Sequence, residues 1–393
     1  MDERTRAYLR GRFRDYYRRS DVSLPPDAEA REWGYIPWTA GPGTTMARHN
    51  ALLDLGDFAD FLTRERPQHV YFSVGRYDDP GADSMAEKGW RGSDLVFDLD
   101  ADHLPSVALG EDSYATMLRK CKDALGRLLS FLEDDFGFCD LETVFSGGRG
   151  YHVHVRDPGV RGLDRAGRRE IVDYVRGTGL QFEALVSGEA VAGTAGRKSP
   201  ARKRTFDTTG GWSARAHRHL LDFVDDLLVM EEGEALERLR SFEGIGEGRS
   251  EAILRGAREN YAELEAGNVD IHPAVFGLAR RLAGEVVEID GAPIDEPVTT
   301  DTNRLIRLPE SLHGGSGLAV RRIARDELDG FDPLVDAIPE TFRGQEIAID
   351  VTDPGLVELG GDSFIIEAGK QVVLEYLGVF LMARGRAEKE RER

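Results

Sequence analysis

The chain reads Asp94-Leu95-Val96-Phe97-Asp98-Leu99-Asp100 at the point that decides its fold. Successive side chains of a β-strand point to opposite faces, so Asp98 and Asp100 should project together while Phe97 and Leu99 enter the core. Two carboxylates on one face are typical ligands of Mg²⁺ or Mn²⁺. A solvated strand end is the alternative, because the chain has 71 acidic residues and short acidic spacings recur by chance.

The composition limits what the chain can be. Its 393 residues could form two structural units or one elaborated domain. The 51 basic and 71 acidic residues give a formal net charge of -20, which by itself argues against a nucleic-acid partner. Lysine occurs at only seven positions, so nearly all the positive charge is arginine. A lysine-poor, acidic surface suits a proteome that works in concentrated salt. In that case the negative charge is an adaptation to salt and does not exclude a nucleic-acid ligand.

Cysteine usage and hydropathy predict the compartment. Cys121 and Cys139 are the only cysteines, which excludes a disulfide framework and points to a reducing interior. No run approaches the ~18 consecutive apolar residues of a membrane span, and the first residues lack a signal-peptide core. We therefore expect a cytoplasmic protein without a membrane segment.

Periodicity predicts an α/β fold of mixed α+β type, in which strands alternate with helices around a central sheet. The apolar stripe of one predicted helix contains Cys121. The predicted elements are a helix within 1–20, strands at 70–74 and 94–98, a helix over 114–131, paired strands at 142–145 and 151–155, helices within 217–266, strand-like alternation over 286–323, and an apolar helix over 372–382.

A second motif follows in Phe145-Ser146-Gly147-Gly148-Arg149-Gly150-Tyr151-His152-Val153-His154-Val155. A glycine-rich turn between two strands exposes backbone N–H groups, and Ser146 and Arg149 add donors, so the turn can hold an anion. A triphosphate would fit these donors. Zinc is an alternative because His152 and His154 share one face, but no convincing further ligands lie nearby. A structural role is favoured for His154.

A third motif runs from Asp295 to Gly314. It supplies another carboxylate, then Arg304 and Arg307 around a short apolar strand, then His313 beside a glycine-rich turn. Arginine and histidine near carboxylates match a polyphosphate that bridges metal ions. Taken singly, each of these residues is an ordinary surface residue.

Two further segments could contact nucleic acid. Residues 197–204 form the one dense basic run, for which a flexible solvated loop is the alternative. The turn Gly244-Ile245-Gly246 resembles that of a helix-hairpin-helix, whose amides can contact phosphate. A plain connection between two helices explains this turn slightly better.

The three motifs, in this order, resemble the small, catalytic subunit of the archaeal and eukaryotic-type DNA primase. The resemblance covers most of the chain and is strongest over 87–100, 145–155 and 295–317, while 31–35 and 46–49 look like its N-terminal motifs. The lysine-poor acidity suggests a salt-adapted archaeal member. The resemblance implies a catalytic core over 1–215 and 267–345, a helical subdomain over 216–266, and a C-terminal strand and helix with a charged tail over 346–393.

The resemblance also implies site residues and a mechanism. It places Asp98, Asp100 and Asp295 in a metal-binding triad for Mg²⁺ or Mn²⁺, which would support two-metal nucleotidyl transfer. Glu32 and Arg48 match active-site positions as supporting residues. The positions that match the nucleotide's phosphate contacts are Ser146, Arg149, His152, Arg307 and His313.

The chain also departs from the family pattern. Members usually have a zinc knuckle between the aspartate pair and the Ser-Gly motif, but this interval holds only Cys121, Cys139 and His103. We therefore expect the structural zinc to be lost, with coordination by His103 and a cysteine as the alternative. Gly148 replaces a basic residue of some relatives, which leaves Arg149 as the turn's only guanidinium.

The implied partners are a large iron-sulfur subunit in a heterodimer, a single-stranded DNA template and nucleoside triphosphates. Docking on the large subunit is one use of the apolar C-terminal helix, but core packing is favoured for Val372, Leu374, Leu377 and Phe380.

Other functions stay open at this point. One is a primase-related repair polymerase, which would extend ends without starting chains. Another is a non-catalytic nucleic-acid-binding subunit, and the weakest is a metal-dependent hydrolase, which would release phosphate and not pyrophosphate.

Overall fold

The computed structural model describes residues 1–39, 45–191 and 201–391. Within these ranges the α-helices are α1 (Glu3–Tyr17), α2 (Leu52–Leu55), α3 (Phe58–Glu65), α4 (Tyr114–Ser130), α5 (Arg165–Arg176), α6 (Phe182–Leu185), α7 (Gly211–Val229), α8 (Glu232–Arg240), α9 (Glu247–Glu259), α10 (Tyr261–Glu265), α11 (Pro273–Asp290), α12 (Glu296–Thr300), α13 (Pro333–Asp336) and α14 (Glu375–Ala383). A π-helical turn, Phe131–Asp135, extends α4. Short 3₁₀ turns span Ala28–Ala30, Ala101–His103, Pro158–Val160 and Glu340–Phe342.

All the pairings between the described strands are antiparallel. The strands are β1 (Trp33–Ile36), β2 (Ala47–Asn50), β3 (His69–Ser73), β4 (Gly75–Tyr77), β5 (Trp90–Ser93), β6 (Leu95–Asp100), β7 (Leu141–Phe145), β8 (Gly150–Val155), β9 (Val186–Val191), β10 (Ala201–Phe206), β11 (Leu305–Arg307), β12 (Arg321–Ile323), β13 (Glu346–Val351), β14 (Gly355–Leu359), β15 (Asp362–Ile366), β16 (Gly369–Leu374) and β17 (Ala387–Lys389). Helices and antiparallel sheets together confirm the predicted mixed α+β class.

The chain divides into two compact units. The larger, main unit is formed by residues 1–125, 138–172 and 293–393, and the smaller unit by residues 126–137 and 173–292. The predicted helical segment 216–266 lies inside the smaller unit, which extends beyond it at both ends. The domain boundaries given by the resemblance stay a prediction.

The main unit contains two four-stranded sheets. The first has the strand order β2-β1-β3-β11, and the second has the order β6-β8-β7-β12. Phe72 on β3 stacks on His154 of β8, with ring centroids 5.9 Å apart and an interplanar angle of 11°. This contact packs the first sheet against the second, and both side chains are fully buried.

A buried cluster of opposite charges lies directly before β6. The fully buried carboxylate of Asp94 pairs with Arg31 Nη2 and with Arg76 Nη2, each at 2.8 Å, and with Arg156 Nε at 3.5 Å. Arg168 donates to the Asp94 carbonyl at 2.9 Å. Burial alone would raise the pKa of Asp94, but the arginines hold it below its usual value. Removing one member of such a cluster leaves a buried charge unpaired, so the cluster fixes the start of β6.

The smaller unit is mostly helical, with one hairpin of β9 and β10. Helices α8 and α9 are joined by the turn that contains Gly244 and Gly246, which is the connection that both readings of this motif predicted. The basic run is described only in part, because residues 197–200 lie outside the described ranges. Its last four residues begin β10, which contradicts a flexible loop there, and Lys203 and Arg204 pair with Glu263 and Asp270.

The C-terminal region differs from the prediction. The apolar run predicted as a helix over 372–382 begins as strand β16, and the helix starts only at Glu375. Val372 and Leu374 are exposed because they lie on the outer face of β16, so their predicted core packing is wrong, whereas Leu377 and Phe380 are buried as expected. The predicted charged tail begins with a strand, β17, which pairs with β13.

Strand β17 also reaches the first helix. The Lys389 N–H donates to Thr5 Oγ1 at 2.8 Å, and both residues are buried. A further correction concerns residues 286–290, which were predicted as strand-like and instead end α11. The remaining predicted strands at 70–74, 94–98, 142–145 and 151–155 correspond to β3, β6, β7 and β8 within a residue or two.

Candidate active site

The aspartate pair lies at the end of β6. Phe97 and Leu99 are fully buried, while Asp98 and Asp100 are partly exposed on the other face. Across the sheet Asp98 lies opposite His152, and Asp100 lies opposite Gly150 at the end of the glycine-rich turn. The alternation predicted from the sequence is confirmed, and it aims both carboxylates toward the turn.

The third predicted carboxylate lies next to this pair. The Asp295 N–H donates to the Asp98 carbonyl at 3.0 Å, which fixes the start of α12 against β6. Burial, with smaller contributions from Asp100 and Asp295, raises the pKa of Asp98 to about 6, and Arg307 opposes this rise. A cavity of about 490 Å³, which we call the carboxylate cavity, is lined by Met46, Arg48, Tyr71, Asp98, Asp100, His103, His152, Asp295, Asp301, Asn303, Arg304, Leu305, Ile306 and Arg307.

The chemistry of this cavity fits a divalent cation. Carboxylate oxygens are the ligands that Mg²⁺ and Mn²⁺ prefer, and a cation would offset both the burial of Asp98 and its repulsion by Asp100, which together raise its pKa. In the described ranges, no group of three His, Cys, Asp or Glu side chains is already arranged to hold a metal ion. Asp98, Asp100 and Asp295 do line one cavity.

The Ser146–Gly150 turn connects β7 to β8 and is packed against His313. Gly147 has φ +74°, and a Cβ there would lie 2.6 Å from the Cβ of His313, so only glycine fits. The Gly148 N–H donates to Ser146 Oγ at 3.3 Å, and the Tyr114 hydroxyl donates to the Gly148 carbonyl at 2.5 Å. These contacts fix the backbone of the turn.

All five predicted nucleotide-binding residues line one cavity at this turn. This turn cavity has a volume of about 390 Å³ and is lined by Asp98, Leu99, Asp100, Tyr114, Ser146, Gly148, Arg149, Gly150, His152, Arg307, His313, Gly315, Ser316, Ala383 and Arg384. The turn cavity and the carboxylate cavity share Asp98, Asp100, His152 and Arg307, so they adjoin. Arg307 comes from β11 of the first sheet, whereas Asp98 and His152 come from the second.

His152 in the turn cavity is buried and His313 is half-buried, and a lowered pKa keeps both neutral near neutral pH. Burial, reinforced by the positive charge of Arg307, holds the pKa of both His152 and His313 well below the usual value. His152 Nε2 lies 3.5 Å from Asp98 Oδ1, and His313 Nδ1 shares a hydrogen bond of 3.1 Å with Ser316 Oγ. Among the described residues, His152 Nδ1 and Arg307 Nε have no hydrogen-bond partner, so both could serve a ligand.

The two predicted arginines differ in their surroundings. Arg149 Nη2 pairs with Asp102 Oδ2 at 2.6 Å, and its side chain is 45% exposed, so it can reorient toward a ligand. The Arg307 guanidinium lies 5.7 Å from the ring centre of Tyr71. Arg307 is thus positioned by strand β11, whereas Arg149 is positioned by a surface ion pair.

The supporting residues Glu32 and Arg48 form a pair. The fully buried Glu32 accepts hydrogen bonds of 3.1 Å from Arg48 Nε and from the His49 N–H. Burial opposes ionisation, but these bonds and the nearby Lys88 hold the pKa of Glu32 below its usual value. Arg48 lines the carboxylate cavity and Glu32 does not, so Glu32 orients Arg48.

The four residues that were considered as zinc ligands have different surroundings. His154 is buried against Phe72, and burial lowers its pKa to about 4. Cys121 is buried in α4, where its thiol donates to the Leu99 carbonyl at 3.5 Å, whereas Cys139 is exposed and His103 lines the carboxylate cavity. The loss of the structural zinc stays a prediction.

Several residues of the two cavities were not predicted. Tyr114 begins the helix predicted over 114–131, and Arg384 lies in the segment 346–393, which was placed outside the catalytic core. Ser316 could have been found from its glycine-rich surroundings, Gly314-Gly315-Ser316-Gly317. For Tyr114 and Arg384 the sequence offers no local signal, because each reaches the turn from an element distant along the chain.

Comparisons with known proteins agree with this geometry. The family model described as DNA primase small subunit matches residues 97–325, which include the aspartate pair, the turn and the third motif. The chain is similar over its full length to proteins named DNA primase small subunit PriS from Haloarcula marismortui, at 70% identity, and from Natronomonas pharaonis, at 61%, with 100% of each chain covered. The protein of that name from Methanococcoides burtonii is 39% identical over 99% of both chains.

An α+β enzyme fold with carboxylates beside a cavity suited to a polyphosphate is typical of nucleotidyltransferases. The chain belongs to the DNA primase small subunit family. Its activity is that of the catalytic subunit of a DNA primase, which makes primers. The suggested salt-adapted origin is also confirmed, since the relatives at 61% and 70% identity come from halophilic archaea. In the part of the chain that the structure describes, no helix is both long and apolar enough to cross a membrane.

Proposed function

We propose that the two adjoining cavities form one nucleotidyl-transfer site. Asp98, Asp100 and Asp295 would hold divalent cations, and the incoming nucleotide would place its triphosphate in the turn cavity. The observation that supports this most directly is the set of four residues that line both cavities, namely Asp98, Asp100, His152 and Arg307. A polyphosphate bound at the turn would thereby lie beside the carboxylates.

The reaction forms a bond between the 3′ oxygen of the growing primer and the α-phosphorus of the incoming nucleotide. The bond from that phosphorus to the bridging oxygen of the β-phosphate breaks, pyrophosphate leaves, and the hydroxyl proton passes to water. When bound, Mg²⁺ or Mn²⁺ would lower the pKa of the primer's 3′ hydroxyl and neutralise the charge of the leaving pyrophosphate.

The side chains of the chain itself bind and orient the triphosphate. Arg149 and Arg307 offset its negative charge, and both present planar forks of donors that suit phosphate oxygens. Neutral His152 and His313 can each donate one hydrogen bond, and Ser146 with the turn backbone adds further donors. The buried donors need little reorganisation, which favours a rate enhancement by positioning.

A primase small subunit implies a primase complex. We propose that the partner is a large iron-sulfur subunit, that the template is single-stranded DNA and that the substrates are nucleoside triphosphates. Because chromosomal DNA of archaea lies in the cytoplasm, we place the complex there. Mg²⁺ or Mn²⁺ is the expected cofactor, without a structural zinc.

The double variant Asp98→Asn, Asp100→Asn tests the site. On unprimed single-stranded DNA with nucleoside triphosphates and Mg²⁺ or Mn²⁺, we expect primer synthesis to fall by at least about 10³-fold, because the variant loses two metal ligands. Binding of Mn²⁺, followed by equilibrium dialysis, should weaken in parallel.

The matched control is Asp123→Asn, which removes an exposed carboxylate from α4 outside both cavities. It should leave primer synthesis unchanged, and thermal unfolding should show that all variants are folded. Primer synthesis by a folded double variant at the rate of the unaltered chain would refute the assignment.

A further inference from the structure

Arg384 lies at the turn cavity although it comes from the end of the C-terminal helix α14. It is the residue directly after α14, and its N–H caps the helix by donating to the carbonyls of Phe380 and Met382. Its side chain lines the turn cavity together with Ser146, Arg149 and His313. A guanidinium therefore reaches the predicted phosphate-binding turn from a segment about 230 residues further along the chain.

Two aromatic rings hold this guanidinium in place. Its carbon lies 4.2 Å from the ring centre of Tyr114 and 5.2 Å from that of Phe380. The two rings are themselves in contact, with centroids 5.7 Å apart. Stacking on aromatic faces leaves the N–H edges of an arginine available for other partners.

The same tyrosine links Arg384 to the turn. The Tyr114 hydroxyl donates to the carbonyl of Gly148, and its ring supports the arginine. The position of Arg384 is therefore tied to the backbone whose N–H groups would face an anion.

No carboxylate in the described ranges forms an ion pair with Arg384, whereas Arg149 is paired with Asp102. The pKa of Arg384 is lowered by burial and then by the positive charges of Arg386 and Arg149. Two guanidiniums that repel each other across a cavity gain stability when an anion binds between them. An anion bound in the turn cavity would therefore pair with both arginines.

We propose that Arg384 binds the polyphosphate of the incoming nucleotide together with Arg149, and that Tyr114 is a positioning residue for both Arg384 and the turn. This inference rests on the proposed nucleotide site. It adds a residue that follows the C-terminal helix to a set of phosphate-binding residues that come from the two sheets and the loops after their strands.

The variants Arg384→Gln and Arg384→Lys test the inference in the assembled primase. For Arg384→Gln we expect the KM for nucleoside triphosphate to rise about tenfold, with kcat changed less than about threefold, because a charge-assisted hydrogen bond to phosphate is lost. Inorganic tripolyphosphate, used as a competitive inhibitor, should bind about tenfold more weakly to the same variant. Arg384→Lys should fall in between because it keeps the charge.

Arg386→Gln is the matched control. Arg386 lies two residues further on, pairs with Asp353 at 3.4 Å and does not line the turn cavity. The Arg386→Gln variant should leave unchanged both the KM for nucleoside triphosphate and the inhibition by tripolyphosphate. Tyr114→Phe keeps the ring but removes the hydroxyl, so it should raise the KM less than Arg384→Gln does.

The outcomes separate this inference from the site on which it rests. Unchanged tripolyphosphate inhibition in Arg384→Gln, with weaker inhibition in Arg149→Gln and Arg307→Gln, would overturn the role of Arg384 alone. Unchanged inhibition in all three variants would overturn the proposed nucleotide site. Loss of template binding without a change in the KM for nucleotide would assign Arg384 to the DNA and also overturn the inference.

Discussion

At the scale of single residues, Glu142 shows how the second sheet is held together by charge. Its carboxylate pairs with Arg156 Nη2 at 2.9 Å and with Arg322 Nε at 3.0 Å, which connects β7 to groups at the end of β8 and in β12. Burial opposes ionisation, but these arginines lower the pKa of Glu142 from 4.5 to about 2.

This shift makes stability depend on pH. A carboxyl whose pKa is lower in the folded state stabilises the fold above its unfolded pKa, and this stabilisation is lost as the pH falls from about 4.5 to about 2. Glu142→Gln should therefore reduce the free energy of unfolding near neutral pH by about 2 to 3 kcal/mol. The difference from the unaltered chain should shrink as the pH approaches about 2.

Denaturant unfolding at a series of pH values measures this difference. The control is Glu340→Gln, because Glu340 is 86% exposed and forms a surface pair with Arg343. It should change the free energy of unfolding by less than about 0.5 kcal/mol. A loss for Glu142→Gln that is the same at every pH would contradict the electrostatic explanation.

At the scale of elements, the Ser146–Gly150 turn depends on the close approach of two glycines to His313. A side chain at Gly147 would need φ +74° and would meet the Cβ of His313 at 2.6 Å. We expect Gly147→Ala to displace His313, to lower the free energy of unfolding by about 1 to 3 kcal/mol and to raise the KM for nucleotide.

The variant Gly110→Ala separates the effect of backbone strain from the effect of the clash with His313. Gly110 also has a positive φ, +87°, but a Cβ there would meet no atom within 4 Å. It should lose about 1 kcal/mol from backbone strain and keep the KM unchanged. A KM for Gly147→Ala equal to that of the unaltered chain would show that His313 does not need its observed position.

The elements also show how far the sequence predicts this fold. Strands β6, β7 and β8 could be predicted because apolar and polar residues alternate along them or because the strand ends at a glycine-rich turn. The C-terminal hairpins could not, since the apolar run from Val372 to Met382 has no breaker where β16 becomes α14. The strand ends at Leu374 because β13 pairs with it up to Glu346, which is a contact far along the chain.

Only part of the candidate site and of its surroundings could be predicted from the sequence. Asp98, Asp100 and the turn residues lie on neighbouring strands, and strand alternation and the glycine-rich turn made them candidates whose order along the chain carried the resemblance. The buried cluster around Asp94 was missed because Arg31, Arg76 and Arg156 are ordinary arginines until the fold brings them to one carboxylate.

At the scale of the whole molecule, the net charge of -20 disfavours the compact state through self-repulsion. Salt screens this repulsion over about 10 Å at 0.1 M and over shorter distances at higher concentration. We expect the unfolding temperature at neutral pH to rise by at least about 5 °C between about 0.2 M and about 2 M KCl.

Thermal unfolding followed by circular dichroism measures this effect. The control is the same titration near the sequence pI of about 5.0, where the net charge is small and the gain should shrink. An equal gain at both pH values would show that salt acts through apolar burial and not through charge.

The hydrogen bond between Thr5 and Lys389 has a consequence for biosynthesis. The main unit combines residues 1–125 with residues 293–393, so a ribosome must translate as far as residue 389 before β17 can join. The smaller unit is complete once residue 292 has emerged, and it can fold while the main unit is still open. Nascent chains that stop before Arg384 would lack part of the turn cavity, so premature termination yields no competent enzyme.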